Sequence, residues 1–356
     1  MLKVAIVGCG KIASAHVEQI RATGRGTVVA VCDREELMAR QLGERMDVPG
    51  RYTDLVQLLE QERPDVVHVA TPPASHMAIA RTVMESGCHV FMEKPFAPAG
   101  AEAQEILDCA QQTGKRLSVN YLYNFEAPTL ELEKLVEQRA IGDIVHLDMS
   151  YGYNLAGDYG LAVMADPGHW VHSLPGKLFQ NVLDHVFAKI VAYLDDDWSM
   201  QLESFRRRPE SGNPVVDALP DELRFLIRSG NVTASGLISA HARPISHTLK
   251  VYGERDSCEL DYAARTLVRS AQQTQPSAMG RLFPPWVQAR RYAGNAWRNL
   301  GRFRRHEFHY FQGMRVLLDR FYDAVEGRGP DPIPHDQILR TCRLIDQVAK
   351  GMKDSA

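Results

Sequence analysis

The chain has no framework of paired cysteines. Its six cysteines, Cys9, Cys32, Cys88, Cys109, Cys258 and Cys342, are scattered over 356 residues without a C-x-x-C pair. That excludes a zinc ribbon or disulfide scaffold and reads as reduced thiols. No apolar run reaches the roughly 20 residues of a membrane-spanning helix. No signal segment is visible, because the first residues run directly into a core strand, so a cytoplasmic location is expected. The net charge is only −3, which predicts no general affinity for nucleic acid. Repeats and low-complexity tracts are absent. His306-Glu307-Phe308-His309 lacks the H-E-x-x-H spacing, and no metal site is expected. What is present is an ordinary globular composition, 45% hydrophobic and 24% charged, in a chain long enough for two domains.

The chain is organised around its first strand and the loop after it. Leu2-Lys3-Val4-Ala5-Ile6-Val7 is followed by Gly8-Cys9-Gly10-Lys11-Ile12-Ala13, and a helical pattern begins at once. In this G-x-G-x-x-A spacing Gly8 permits the tight turn and Gly10 lets backbone approach a pyrophosphate. Ala13 is small enough for helix to pack on strand. Main-chain N–H groups at the helix start, around Lys11 and Ile12, then face the phosphates. A second strand, Thr27 to Cys32, ends in Asp33, 20 residues after Ala13, where a carboxylate holds a ribose 2′-hydroxyl. Asp33 favours NAD by repelling a 2′-phosphate, while the adjacent Arg34 leaves room for NADP.

Helices and strands then alternate. Val66 to Ala70 is a buried-type strand ending in Thr71-Pro72-Pro73, His76 to Ser86 is helical, and His89 to Met92 is a strand closed by Glu93-Lys94-Pro95. A helix near 101–113 and a strand from Arg116 to Val119 complete a parallel, doubly wound α/β sheet of the Rossmann type. Ligands of such sheets lie beyond the carboxyl ends of the strands, where the glycine loop, Asp33, Thr71, Pro72, His76, Glu93 and Lys94 all fall. The first domain is expected over 1–122. The remainder, 123–356, alternates like strands at Ile144–Tyr153, 223–227, Val232–Ala240, His247–Tyr252 and Ser257–Tyr262, with a crossing helix from Gly176 and two closing helices. This predicts an α+β domain with a large, mostly antiparallel open sheet.

With these residues in place, the chain resembles the glucose–fructose oxidoreductase/inositol dehydrogenase (Gfo/Idh/MocA) family. The glycine loop, the Thr71-Pro72-Pro73…His76 segment and Glu93-Lys94-Pro95 fall in that family's order and spacing. The resemblance implies a dinucleotide-binding domain joined to an α/β domain whose open sheet forms homo-dimers or tetramers. It also implies hydride transfer between NAD(P) and a sugar, polyol or related hydroxyl compound. Lys94 is the first catalytic candidate, an ammonium whose pKa falls on desolvation beside a cationic nicotinamide. The plain alternative is a surface lysine at a strand end. His185 is the second. Relatives carry an aspartate four residues before this histidine on one helix face; Asn181 stands there instead, able to orient by hydrogen bonds but not to supply charge. Asp184, about 100° around the helix, is a poor substitute. Asn124 replaces an arginine usual in relatives, and Tyr121, Trp170 and His172 are substrate-pocket candidates, with packing the simpler role for Trp170.

One stretch fits none of this. From Ala263 to His306 there are nine arginines and no acidic residue. Trp286, Ala289, Ala293, Trp297, Leu300 and Phe303 recur three or four apart, with Arg291, Arg298, Arg302 and Arg305 on another face. A basic amphipathic helix with aromatics suits peripheral contact with a membrane through 281–305, or a phosphate-bearing or lipid-linked sugar substrate. The alternative is a solvated helix or subunit contact with its aromatics packed on the sheet. Three functions stay open at this level: an NAD(P)-dependent oxidoreductase acting on CH-OH groups of a sugar, polyol or nucleotide-linked sugar; glycoside cleavage with transient NAD redox; and a non-catalytic NAD(H) or sugar sensor.

Overall fold

The computed structural model describes residues 1–272 and 277–354; residues 273–276 of the arginine-rich stretch and the last two of the expected second domain lie outside the described residues. Two compact units form, one from Met1–Leu122 with Gly313–Asp346, the other from Tyr123–Gln312 with the chain from Gln347 onward.

The first unit is built on six strands: β1 (Leu2–Val7), β2 (Gly26–Cys32), β3 (Gly50–Tyr52), β4 (Val66–Val69), β5 (His89–Met92) and β6 (Leu117–Val119). Their spatial order is β3-β2-β1-β4-β5-β6, and every pairing is parallel. Helices cover both faces, so strands read as nearly continuous apolar runs: all four residues of β4 are buried, His68 among them, and so are the last four of β1. The strand order reverses between β1 and β4, and the crevice at that switch point is where such sheets bind ligands.

Residues 313–346 belong to this unit, whereas the sequence expectation gave everything after residue 122 to the second domain. The reason is packing. Phe321 and Tyr322, on the helix Gln312–Val325, are fully buried, and Phe321 meets Phe91 of β5 with ring centroids 5.6 Å apart. Arg25 pairs with Asp323 at 3.0 Å and also with Glu326. The Gly100 N–H donates to Asp346 at 2.8 Å. An amphipathic helix carries no mark of which sheet it will cover.

Among its described residues, the second unit holds seven strands: β7 (Ile144–Gly152), β8 (Ser199–Phe205), β9 (Glu222–Ser229), β10 (Val232–Ser239), β11 (His247–Gly253), β12 (Asp256–Asp261) and β13 (Thr266–Ala271). They lie in the order β13-β12-β11-β7-β10-β9-β8. Only β10 and β7 run parallel; the other five pairings are antiparallel. Gly230, at a φ of +54°, turns the β9–β10 hairpin that the Gly-Asn pair predicts. Two strands escape the sequence pattern: β8 carries few large apolar residues, and β13 lies inside the arginine-rich stretch. Among the described residues, no helix is long and apolar enough to cross a membrane.

Candidate functional site

The glycine loop is formed by close backbone approach. Gly8 has a φ of +95°, and a Cβ there would stand 2.7 Å from the Ala70 carbonyl carbon and oxygen and 2.8 Å from the Thr71 nitrogen. Glycine is required there. Gly10 differs: a Cβ on it would meet nothing within 4 Å. That open space lies at the start of the helix Ala13–Thr23, whose N-cap residue Ile12 makes no side-chain cap bond and whose first turn carries no acid. A positive dipole end with neither a side-chain cap nor an acid suits an anionic pyrophosphate. Asp33 follows β2 and ties the loop down, accepting from the Cys9 N–H at 2.8 Å and the Glu35 N–H at 3.0 Å. A carboxylate has further lone pairs for a ribose diol. Lys11 and Arg34 are exposed, Ile12 is half-buried and Ala13 is buried. The residues present fit a dinucleotide.

The Thr71 loop is braced from beneath. Ser75 Oγ donates to Pro72 O and lies 2.8 Å from Thr71 Oγ1. Buried His76 sets Nε2 2.8 Å from the Thr71 carbonyl and Nδ1 3.0 Å from that of Phe96. Both ring nitrogens thus face main-chain carbonyls, the neutral ring donating to one of them, and His76 lies between the loop after β4 and the loop after β5. Burial lowers its pKa despite those carbonyls.

Behind Lys94 lies a buried polar chain that sequence reasoning missed. Glu93 Oε1 is 2.9 Å from His16 Nε2 and accepts from Asn120 Nδ2 at 2.6 Å. Its other oxygen accepts the Lys94 N–H at 3.1 Å. His16 Nδ1 meets His68 Nδ1 at 2.8 Å, and His68 Nε2 lies 3.4 Å from the Tyr322 hydroxyl. An ionised Glu93 only accepts, so His16 Nε2 carries a proton; one consistent direction then runs from Tyr322 O–H through His68 and His16 to Glu93. Burial works against the Glu93 charge, yet the bonds from His16 and Asn120 and the Lys94 ammonium hold its pKa below the usual range. His68 is held neutral, its pKa driven well down by burial and by His16. Together these groups fix the strand end from which half-buried Lys94 departs. The signal in the sequence was His16 and His68, two histidines on apolar faces, whose partners only folding supplies.

In the second unit the helix Lys177–Phe187 carries Asn181 and His185. Asn181 is buried and His185 half-buried. His185 sits in an aromatic box: Tyr123 meets it edge-on at 5.0 Å and Tyr151 stacks at 5.9 Å. His247 of β11 joins the same box, 4.4 Å from Tyr123 and 4.5 Å from Tyr262 between ring centroids. Its Nε2 lies 2.5 Å from the ammonium nitrogen of Lys189, which stands 4.3 Å above the Tyr262 ring. Burial drives the Lys189 pKa well down. It does the same to His247, helped by Lys189 and His185. Tyr123, Tyr151, Lys189, His247 and Tyr262 come from five separate chain segments, and no motif announces them.

The other pocket candidates have structural duties. Asn124 donates to the Ala188 carbonyl at 2.9 Å, closing the end of the His185 helix. Tyr121 is buried beyond β6. Trp170 packs against the core of Val163, Val171, Leu178 and Leu219. His172 is buried, with Nε2 2.9 Å from the Val163 carbonyl. Asp221, Glu222 and His241 form one cluster of metal-ligand type, but Arg208 pairs with Asp221 at 3.0 Å and Arg224 with Glu222 at 2.8 Å. Those guanidiniums supply the positive charge that a cation would bring.

Comparison with known proteins follows the same division. Residues 2–121 match a family model described as oxidoreductase family, NAD-binding Rossmann fold. The D-glucoside 3-dehydrogenase of Escherichia coli (strain K12) is 33% identical over 144 residues, 40% of this chain and 41% of that protein. The inositol 2-dehydrogenase of Salmonella typhimurium (strain LT2) is 28% identical over 144 residues, 40% and 43% of the two chains. The aligned part thus spans less than half the length of these curated relatives. The WlbA dehydrogenase of Bordetella pertussis, solved with NADH and UDP-GlcNAcA, superposes with a TM-score of 0.77 at 17% identity, covering 100% of this chain and 96% of that one. The two-unit fold is therefore shared over the whole chain.

Proposed function

On the premise that the chain belongs, through its NAD-binding amino-terminal unit, to the Gfo/Idh/MocA oxidoreductase family, we propose that it is an NAD-dependent dehydrogenase acting on a CH-OH group of a sugar, polyol or nucleotide-linked sugar. The observation that carries the reading is the Gly10 opening at an uncapped, acid-free helix start, with Asp33 holding the same loop. Thr71, Pro72 and the Glu93–Lys94 strand end border that edge of the sheet. Bound NAD supplies the hydride acceptor or donor. The protein's part is to hold and orient substrate and to move one proton.

In this proposal Lys94 takes or returns the hydroxyl proton. Its main chain is held by Glu93, itself locked by His16 and Asn120. His185, oriented by Tyr123 and Tyr151, is the second proton-handling group, and Asn181 assists by hydrogen bonding without charge. The substrate class follows the relatives, one acting on glucosides, one on inositol, and one bound to a UDP-sugar. Asp33 favours NAD over NADP. A homo-oligomeric, cytoplasmic enzyme that touches a membrane peripherally through 281–305, with a phosphate-bearing or lipid-linked sugar as substrate, completes the proposal.

The test mixes protein, NAD and a panel of polyols, sugars and UDP-sugars while reduced nicotinamide is followed by absorbance. Turnover that Lys94→Ala abolishes supports the assignment. NADH binding without turnover across the panel leaves a sensor, and failure to bind NADH or NADPH overturns the reading.

A further inference from the structure

The arginine-rich helix is inside out. It runs from Pro284 to Arg304, about 30 Å at the usual rise. Its buried residue is Asn295, 3% exposed. Asn295 Nδ2 donates to the Leu267 carbonyl of β13 at 2.9 Å, and its Oδ1 accepts the Leu267 N–H at 3.4 Å. Arg298, one turn on, reaches Glu131 at 3.1 Å, and Arg291 and Arg302 are also partly covered. The polar face of this helix is therefore the one that meets its own domain.

The apolar face points away. At about 100° per residue, Trp286 and Trp297 lie roughly opposite Asn295, with Ala293 and Leu300 beside them. Both tryptophans are 71% exposed and Phe303 is 66% exposed. Leu282 on the preceding helix is also exposed, while Met279, Phe283 and Val287 line a hollow with Ser270, Ala271 and Gln272 at the end of β13. Arg290 and Arg304 flank the tryptophans, and with Arg281 they have no carboxylate at ion-pair distance among the described residues. A packed domain does not present such a face to water. The reading in which the aromatics pack on the sheet is excluded for the helix within this chain.

We infer that this helix docks in the plane of an anionic phospholipid bilayer, its tryptophans inserted at headgroup depth and its outer arginines against lipid phosphates. Charge decides the occupant. Four of the nine arginines of 263–306 pair with carboxylates of their own domain. The outward Arg281, Arg290 and Arg304 have no acid near them among the described residues, in a stretch that holds none, so a two-fold contact centred on this face would set them against their own copies. An anionic surface attracts those three. Indole rings with flanking cations are the composition that settles at a membrane interface. The inference concerns the outer helix face alone and stands whether or not the dehydrogenase assignment does.

The test uses the full-length protein with vesicles of phosphatidylcholine alone, or mixed three parts to about one of phosphatidylglycerol, at low salt. Sedimentation with the anionic vesicles, release by high salt, and a blue shift of tryptophan emission are expected. Trp286→Ala/Trp297→Ala should weaken vesicle binding at least about tenfold, and Arg290→Gln/Arg304→Gln by a similar factor, each arginine contributing about fivefold. Both variants alter exposed residues, so unfolding temperature and NADH binding should match the parent. Absence of binding to anionic vesicles overturns the inference. So does binding that both double variants leave intact. A parent dimer that Trp286→Ala/Trp297→Ala converts to monomer, without lipid binding, would assign the face to a second copy and equally overturn it.

Discussion

The two glycines of the first loop separate folding from cofactor binding, and substituting each by alanine should show it. Gly8→Ala forces a side chain onto a φ of +95° and drives its Cβ to 2.7–2.8 Å from three main-chain atoms of Ala70 and Thr71. Those main-chain atoms directly follow β4 and cannot rotate away. The left-handed backbone costs about 1–2 kcal/mol, and crowding in a packed site adds about 1–3, so the first unit should lose about 2–5 kcal/mol. For a unit of this size that is a fall of roughly 5–15 °C in unfolding temperature. Gly10→Ala meets nothing within 4 Å, so stability should hold, or rise by a few tenths through the less flexible unfolded chain. Its methyl group, however, would stand where a pyrophosphate approaches, and NADH affinity should fall at least tenfold, about 1.4 kcal/mol. Thermal unfolding by circular dichroism and NADH titration by fluorescence give the two readouts. Equal destabilisation by both substitutions, or undiminished NADH binding by Gly10→Ala, would refute the reasoning.

Three further outcomes are expected. Lys94→Ala should lower turnover by about 10²–10⁴-fold while NADH titration still shows binding; near-parent turnover would remove Lys94 from the chemistry. Acid should destabilise the fold through its buried bases. His68 and His247 have folded pKa values well below the ordinary one, with burial as the main cause, so below about pH 6.5 the unfolded chain binds more protons and stability falls as pH falls. Lys189 adds the same sign over a wider window, up to about pH 10.4, whereas the Glu93 contribution is lost only as pH drops through its lowered folded value. The urea midpoint should therefore be lower at pH 5.5 than at 7.5, with His247→Gln flattening the slope; a flat parent profile would contradict this. Finally, Asn181→Asp places a carboxylate one turn before His185 and should raise the histidine pKa, moving the acidic limb of the pH–rate profile upward; an unmoved limb would separate the two side chains.

Local rules determined the amino-terminal unit. The G-x-G-x-x-A loop, Asp33 at the end of β2 and the mostly apolar strands each act within about 30 residues, where turn geometry, helix start and burial on both sheet faces leave one reading. Five strands of the second sheet were legible for the same reason, as alternation has a period of two. Tertiary structure decided what distance along the chain hides. Tyr322 reaches His68 from 254 residues away, and Lys189 finds His247 across 58. Periodicity marks an apolar helix face but not the surface it meets: Phe321 and Tyr322 went to the first sheet, and Trp286 and Trp297 turned outward because Asn295 claimed the contact with β13. Sequence encodes which side chains avoid water; only the packed fold settles which neighbour takes them in.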